Sequence, residues 1–247
     1  MKKAITIKTQ LIIFLACFAV FLAARDQDPS FILAELIAAA SAAVCDAIFS
    51  FLKDKKLAVT ESSLISGLII GYVLASDNPW HVFVFASLAA ICSKHLIRAA
   101  HRHIFNPAAL GIFLSVVIFG AATQWKGTYL WYVLAPAGLY FTYRIRKLEV
   151  LAGYAVSSFA LFGPQAVIEG RSLVSVFGYF SYFFIFIMLI EPLTSPARSS
   201  GKWIFGIGVG IAVFILTGMG VRFDAELVSL LILNFATLGL NKLHALR

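Results

Sequence analysis

Apolar residues run along this chain in ten long stretches, separated by short polar loops. The stretches cover 8–24, 31–52, 62–75, 79–97, 104–121, 129–143, 148–164, 173–190, 203–219 and 225–243. A helix that crosses a bilayer needs roughly 20 predominantly apolar residues. The pattern therefore predicts an all-α, polytopic membrane bundle of about ten transmembrane helices with no extramembrane domain. The first stretch ends in Leu22-Ala23-Ala24, which lacks the small residue at −3 of an A-x-A cleavage site. A retained helix is expected there, not a signal peptide.

Composition excludes a soluble reading. Of 247 residues, 61% are hydrophobic and 13% charged, and the mean hydropathy is +0.91. A water-facing surface cannot be built from so few charges. The formal charge of +8 does not imply nucleic acid, because no soluble segment could form a DNA-reading module. It records orientation instead. With the N-terminus inside and ten crossings, sixteen of the 20 Lys and Arg fall on the cytoplasmic side; only Arg25, Lys126, Arg171 and Arg222 fall opposite. Both termini are thus expected in the cytoplasm of a prokaryotic cell (inner) membrane. Cys17, Cys45 and Cys92 sit singly in apolar runs, with no CxxC pair. They indicate no disulfide framework, zinc site or iron–sulfur cluster.

Two stretches are interrupted. Segment 62–75 is short, carries Gly67 and Gly71, and ends in Ser76-Asp77-Asn78-Pro79. Segment 173–190 runs into Glu191-Pro192-Leu193-Thr194-Ser195-Pro196. Broken segments at matching places in two halves point to a midplane site in an inverted-repeat protein. A shift of 118 residues pairs Phe105-Asn106-Pro107-Ala108 with Phe223-Asp224-Ala225-Glu226. One transmembrane domain is expected, with repeat one at about 1–124 and repeat two at about 125–247. Five helices in each half make the repeats antiparallel.

The densest polar stretch is Ser93 to Pro107. If it is helical, Lys94, Arg98 and Arg102 recur at i, i+4 and i+8 as one cationic stripe. Such a stripe suits a phosphate, a flavin carbonyl or a quinone oxygen; an anchor beside lipid headgroups is the plainer reading. His81 and His95 lie 14 apart on one expected helix, but His101, His103 and His244 all fall on the cytoplasmic side, so an outer haem would lack a second histidine. A metal at His95, His101 and His103 is disfavoured by the intervening arginines. Glu35 and Asp46 share a face of the second stretch, and Glu191 opens the second broken motif. Intramembrane acids are functional candidates because they are costly there. Lys94 is the expected counter-charge of Glu191. Asn106 either closes unwound backbone or faces a ligand. Trp80, Trp125, Trp131 and Trp203 fit an interfacial belt.

Asn78-Pro79-Trp80, Ser93-Lys94, Phe105-Asn106-Pro107-Ala108, Glu191-Pro192-Leu193-Thr194-Ser195-Pro196 and Gly201-Lys202 follow one another in order. Together they resemble the NqrB/RnfD family of membrane subunits, from sodium-pumping NADH:quinone reductase and the Rnf complex. The resemblance spans nearly the whole chain. It implies two inverted five-helix repeats on a urea-transporter-like fold and a role in flavin-dependent electron transport. Larger members carry a Ser-Gly-Ala-Thr-like insertion whose threonine bears FMN. Here Ala121 to Thr128 lacks that motif, so no covalent FMN is expected. The family's Gly-Gly linker is replaced by Arg98-Ala99 and flanking histidines. What the resemblance implies is a noncovalent flavin, riboflavin or FMN. Lys94 or Arg98 would stabilise its reduced anion and Asn106, Thr194 and Ser195 would bond its polar edge, with His103 and Glu191 beside them. Its partners would be a flavinylated extracytoplasmic protein, other redox subunits or a quinone. The alternative is a channel or transporter for a small solute or flavin on the same fold, and a third reading is a scaffold that only docks other subunits.

Overall fold

The computed structural model describes residues 5–99 and 102–243, with side chains through residue 239. Lys2, Lys3, His101, His244 and Arg247 lie outside the described residues, as does the side chain of Lys242. The chain is mostly helical: α1 (Ile7–Asp26), α2 (Pro29–Asp54), α3 (Glu61–Val73), α4 (Trp80–Leu96), β1 (Arg98–Ala99), β2 (Arg102–His103), α5 (Pro107–Phe119), α6 (Trp131–Arg144), α7 (Leu148–Ile168), α8 (Ser199–Gly218) and α9 (Ala225–Leu243). A 3-10 helix (Leu173–Tyr179) and a π-helical turn (Phe184–Met188) lie between α7 and α8. Four helices, α1, α2, α7 and α8, are long and apolar enough to cross a membrane; α3, α4, α5 and the described part of α9 are shorter apolar helices. Leu33, Leu36, Val44 and Ile48 of α2 are exposed. An apolar face of that length belongs against lipid. This is a membrane protein.

Helix ends follow local chemistry. Asp28 caps α2, its carboxylate accepting from Phe31 N, and Pro29 fills the first turn where its missing N–H is not needed. The Thr60 hydroxyl caps α3. Pro107 opens α5 and biases Asn106 away from helix.

Two compact units emerge. The first comprises Met1–Arg98 and Pro107–Gly127; the second comprises Ala99–Asn106 and Thr128–Arg247. In the first, α2 packs on α3 and α4. The approach of α3 requires glycine: a Cβ at Gly67 would meet Ala39 Cα at 2.7 Å, and one at Gly71 would meet Glu35 Cδ at 2.7 Å. The chain turns extended after Val73. Leu74 bridges Thr123 in antiparallel fashion, Gln124 N donates to Val73 O (2.8 Å) and Lys126 N to Tyr72 O (2.8 Å). The Asn78 amide donates to Ala75 O and Ala122 O and accepts from Ala122 N. Lys126 is held by Asp26 and Asp28. In the second unit, α7 and α8 make the closest pairing, where a Cβ at Gly206 would fall 2.2 Å from Val150 O.

Two expectations are corrected. The stretch 173–190 is not one helix. Val174, Val176 and Gly178 weaken α-helix there, and the Ser172 hydroxyl accepts from Val174 N to start a 3-10 helix. After extended Phe180, a wide turn forms in which Leu189 N donates to Phe184 O (2.9 Å). The cationic stripe is also absent. Helix α4 ends at Leu96, and Arg98–Ala99 pairs with Arg102–His103 as a short strand pair. Like charges four apart oppose a helix, and Pro107 disfavours continuing it through Asn106.

Candidate functional site

Five of the seven candidate residues come together in the second unit. The π turn ends at Met188, and Glu191 to Ser195 follows without helix. Unwound backbone in a membrane protein must find partners inside the protein. Here side chains supply them. The amide of Asn106, which is buried, donates from Nδ2 to Met188 O (3.4 Å). Its backbone N–H donates to Asn234 Oδ1 of α9 (2.8 Å), and Asn234 Nδ2 donates to Thr194 O (3.4 Å). His103 Nε2 lies 3.0 Å from Glu191 Oε1, with the imidazole buried. The Thr194 hydroxyl donates to Glu191 Oε2 (3.4 Å), and the Ser195 hydroxyl to Glu191 O (2.8 Å). Phe105 and Phe235 stack beside the two asparagines, with ring centroids 6.5 Å apart.

The counter-charge of Glu191 is therefore His103 and not Lys94, which corrects the pairing expected from the motifs. Lys94 belongs to a second cluster, in the first unit. Its ammonium bonds Asp46 Oδ1 (3.3 Å) and Thr60 Oγ1 (2.7 Å). His95 Nε2 lies 2.9 Å from the same Asp46 oxygen and its ring stacks on Phe49, while Thr60 N donates to Asp46 Oδ2 (2.8 Å). Asp46 is fully buried. Arg98 is exposed on β1. His81 contacts Trp80 and Phe119 edge-on. Among the described residues, no group of three His, Cys, Asp or Glu is placed to hold a metal ion.

Sequence reading missed two supports of the broken-helix site. Asn234 looks like one polar residue in an apolar helix; its spacing carries no sign that it reaches two loops. Lys147 reads in the sequence as an orientation charge alone, yet its buried ammonium donates to Ser195 O (3.3 Å) and Pro196 O (2.8 Å). Lys202 in turn donates to Arg146 O (2.7 Å) and pairs with Glu149.

Burial, together with the nearby Lys202 and Arg102 charges, pushes the Lys147 ammonium down to about 8. The unfolded chain would hold that proton up to the ordinary lysine range. Between the two values the unfolded state binds more protons, so this residue's contribution to stability rises as pH rises from about 8 towards 10. The gap in thermal midpoint between the native protein and Lys147→Met should therefore widen between about pH 7.5 and about pH 9.5. A gap that stays constant over that range would show the ammonium stays charged when folded.

The family described as NQR2, RnfD, RnfE matches residues 2–134 and 132–245. The D subunit of the ion-translocating oxidoreductase complex of Pseudomonas paraeruginosa is 21% identical over 292 residues, covering 91% of this chain and 78% of the relative. Its counterpart from Marinobacter nauticus is 24% identical over 258 residues, covering 75% and 72%. That from Erwinia tasmaniensis is 32% identical over 109 residues, covering 42% and 29%. The 292-residue alignment is longer than the chain itself, so the relative carries inserted segments that this chain lacks. Matched over nearly its whole length, with the motifs of both broken segments inside the matched ranges, this chain belongs to the NQR2, RnfD, RnfE family.

Proposed function

We propose that this protein is a membrane subunit of an ion-translocating, flavin-dependent electron-transport complex, and that it holds a noncovalent flavin, riboflavin or FMN, at the broken-helix site of its second unit. The observation that carries this reading is the way the break is closed. Amide, hydroxyl, imidazole and carboxyl groups from 103–106, 191–195 and 234 converge on it. Three of their bonds, Asn106 to Met188 O, Thr194 to Glu191 and Asn234 to Thr194 O, are 3.4 Å long. Bonds of that length are weak, so those donors can be given up to a ligand at small cost. The donor set fits the polar edge of an isoalloxazine, and Phe105 and Phe235 offer apolar walls.

When bound, the flavin supplies the electron chemistry. The protein's residues would position it: Asn106 Nδ2 and the Thr194 and Ser195 hydroxyls would donate to its polar edge, with His103 and Glu191 beside them. Lys94 and Arg98, the other two candidates, belong to the first unit, where Lys94 bonds Asp46 and Thr60. Partners on this reading are other redox subunits, a flavinylated extracytoplasmic protein, or a quinone. The fold reading that goes with it is two inverted five-helix repeats, about 1–124 and 125–247, crossing a prokaryotic cell membrane ten times with both termini inside. The bias of sixteen cations in 20 supports that orientation.

Covalent attachment is not expected. Of the threonines in 121–128, Thr123 sits in the bridge to Leu74, and the Thr128 hydroxyl accepts from Phe183 N (3.2 Å) and lies 3.1 Å from Ser181 Oγ. The test is an absorption spectrum of the purified protein, then acid release and mass identification. A flavin spectrum, full release by acid, and loss of flavin in Glu191→Leu are expected. A colourless protein that carries a solute across liposomes without a redox partner would move the assignment to a channel or transporter. A fluorescent band on a denaturing gel would overturn noncovalent binding.

A further inference from the structure

Glu35 of α2 differs from the other acids on the helices. Asp46, Glu61, Glu149 and Glu226 all have hydrogen-bonding partners. Neither carboxyl oxygen of Glu35 has one, and the residue is 4% exposed. The side chain has its own cradle. Gly71 of α3 lies opposite, and a Cβ there would stand 2.7 Å from Glu35 Cδ and 2.8 Å from Oε1, so only glycine leaves room for the carboxyl. From α3 the titratable neighbour is Tyr72, whose phenol donates to Leu15 O of α1 (2.7 Å), with Cys17 of α1 beyond it. Nearby, α4 presents Ser87, whose hydroxyl donates to Ala38 O (2.9 Å), while its Lys94 and His95 are taken up by Asp46. Helix α5 carries no titratable residue. Among the described residues no charged side chain acts on Glu35.

An ionised carboxylate with no partner in such surroundings is costly. A metal cation would need several more oxygens than this cradle supplies; a proton needs one. We propose that Glu35 is a reversible proton-binding site inside the first unit. The step is an acid–base equilibrium: an O–H bond forms on one carboxylate oxygen, the incoming proton cancels its charge, and no electron moves. Asp46 lies 11 residues further along the same buried face, about 16 Å away by helical rise. Buried serines, Ser63 and Ser66 on α3 and Ser87 on α4, belong to the two helices that pack on α2. This site goes beyond the electron-transfer reading and requires no flavin.

The experiment treats the purified full-length protein with dicyclohexylcarbodiimide, an apolar reagent that attacks protonated carboxyls, and locates adducts by peptide mass. Labelling of the Glu35 peptide is expected, fading as pH rises from about 6 to about 10, unchanged by sodium at fixed pH, and lost in Glu35→Gln. Absence of label on Glu35 would overturn the proposal. So would labelling that stays constant across that range, which describes an acid that never releases its proton. Protection by sodium at fixed pH would assign the site to a metal cation instead. The pH course on the native protein decides the matter even if Glu35→Gln fails to fold.

Discussion

Asn234→Leu is expected to lose about 2–6 kcal/mol of stability, the sum of two buried groups left without partners at about 1–3 kcal/mol each. One amide serves two loops, accepting from Asn106 N at 2.8 Å and donating to Thr194 O at 3.4 Å. Leucine fills nearly the same volume, so the loss is one of hydrogen bonding and not of packing. The short bond supplies the larger share, since a 3.4 Å contact is weak. Against a typical stability of about 5–15 kcal/mol, the lower half of this range already lowers the thermal midpoint in detergent by several degrees. Asn234→Asp keeps an acceptor for Asn106 and should lose less than Asn234→Leu. If the leucine variant melts with the native protein, the two backbone groups have other partners and the site is not built on Asn234.

Periodicity and composition made the apolar segments and both interruptions legible, because each depends on local residue type. Pro29, Pro107 and the Asp28 and Thr60 caps fix helix starts from within a few residues. The stretch from Arg98 to His103 was not legible as a strand pair. Its cations sit at helical spacing, and what decides against helix is mutual repulsion together with the demand of Pro107. The π turn was hidden for another reason: Phe183 to Ile190 is uniformly apolar and carries no mark of a widened turn. Pairings between distant segments were least accessible. Nothing in the sequence joins His103 to Glu191 or Lys94 to Asp46; the motifs suggested Lys94 and Glu191 instead. Asp46 and Glu35 do share a face, as their spacing of 11 requires, but which of them is paired is decided by α4.

The two units also close their breaks differently, and this bears on where a ligand would sit. After α3 the freed carbonyls of Tyr72 and Val73 take N–H groups from Lys126 and Gln124, as in a sheet. A backbone ladder of that kind leaves little for a ligand to exchange. After the π turn the work falls to side chains: Asn106, Asn234, Ser195 and Lys147. Side chains have rotamers, and two of these bonds are long. The second break is thus the one that the proposed flavin site uses, because its partners are side chains.

The first unit carries its own large effect at Asp46. Its carboxylate faces Lys94 at 3.3 Å and His95 at 2.9 Å and accepts from Thr60 N at 2.8 Å, all while fully buried. Removing one partner of a buried ion pair typically costs about 3–5 kcal/mol, because the surviving charge stays desolvated. The Lys94 and His95 side chains retain 13% and 21% exposure, so some water reaches them and the lower end, about 3 kcal/mol, is expected for Asp46→Leu. The loss has three sources, the stranded ammonium, the His95 ring nitrogen and the Thr60 N–H, and a second substitution isolates the first. Asp46→Leu combined with Lys94→Met removes the ammonium and leaves the Thr60 N–H and the His95 ring nitrogen, each worth about 1–3 kcal/mol. The double variant should therefore be more stable than Asp46→Leu by thermal unfolding in detergent. If it is no better, the charge pair contributes nothing net, and what Asp46 holds in place is the start of α3 through Thr60.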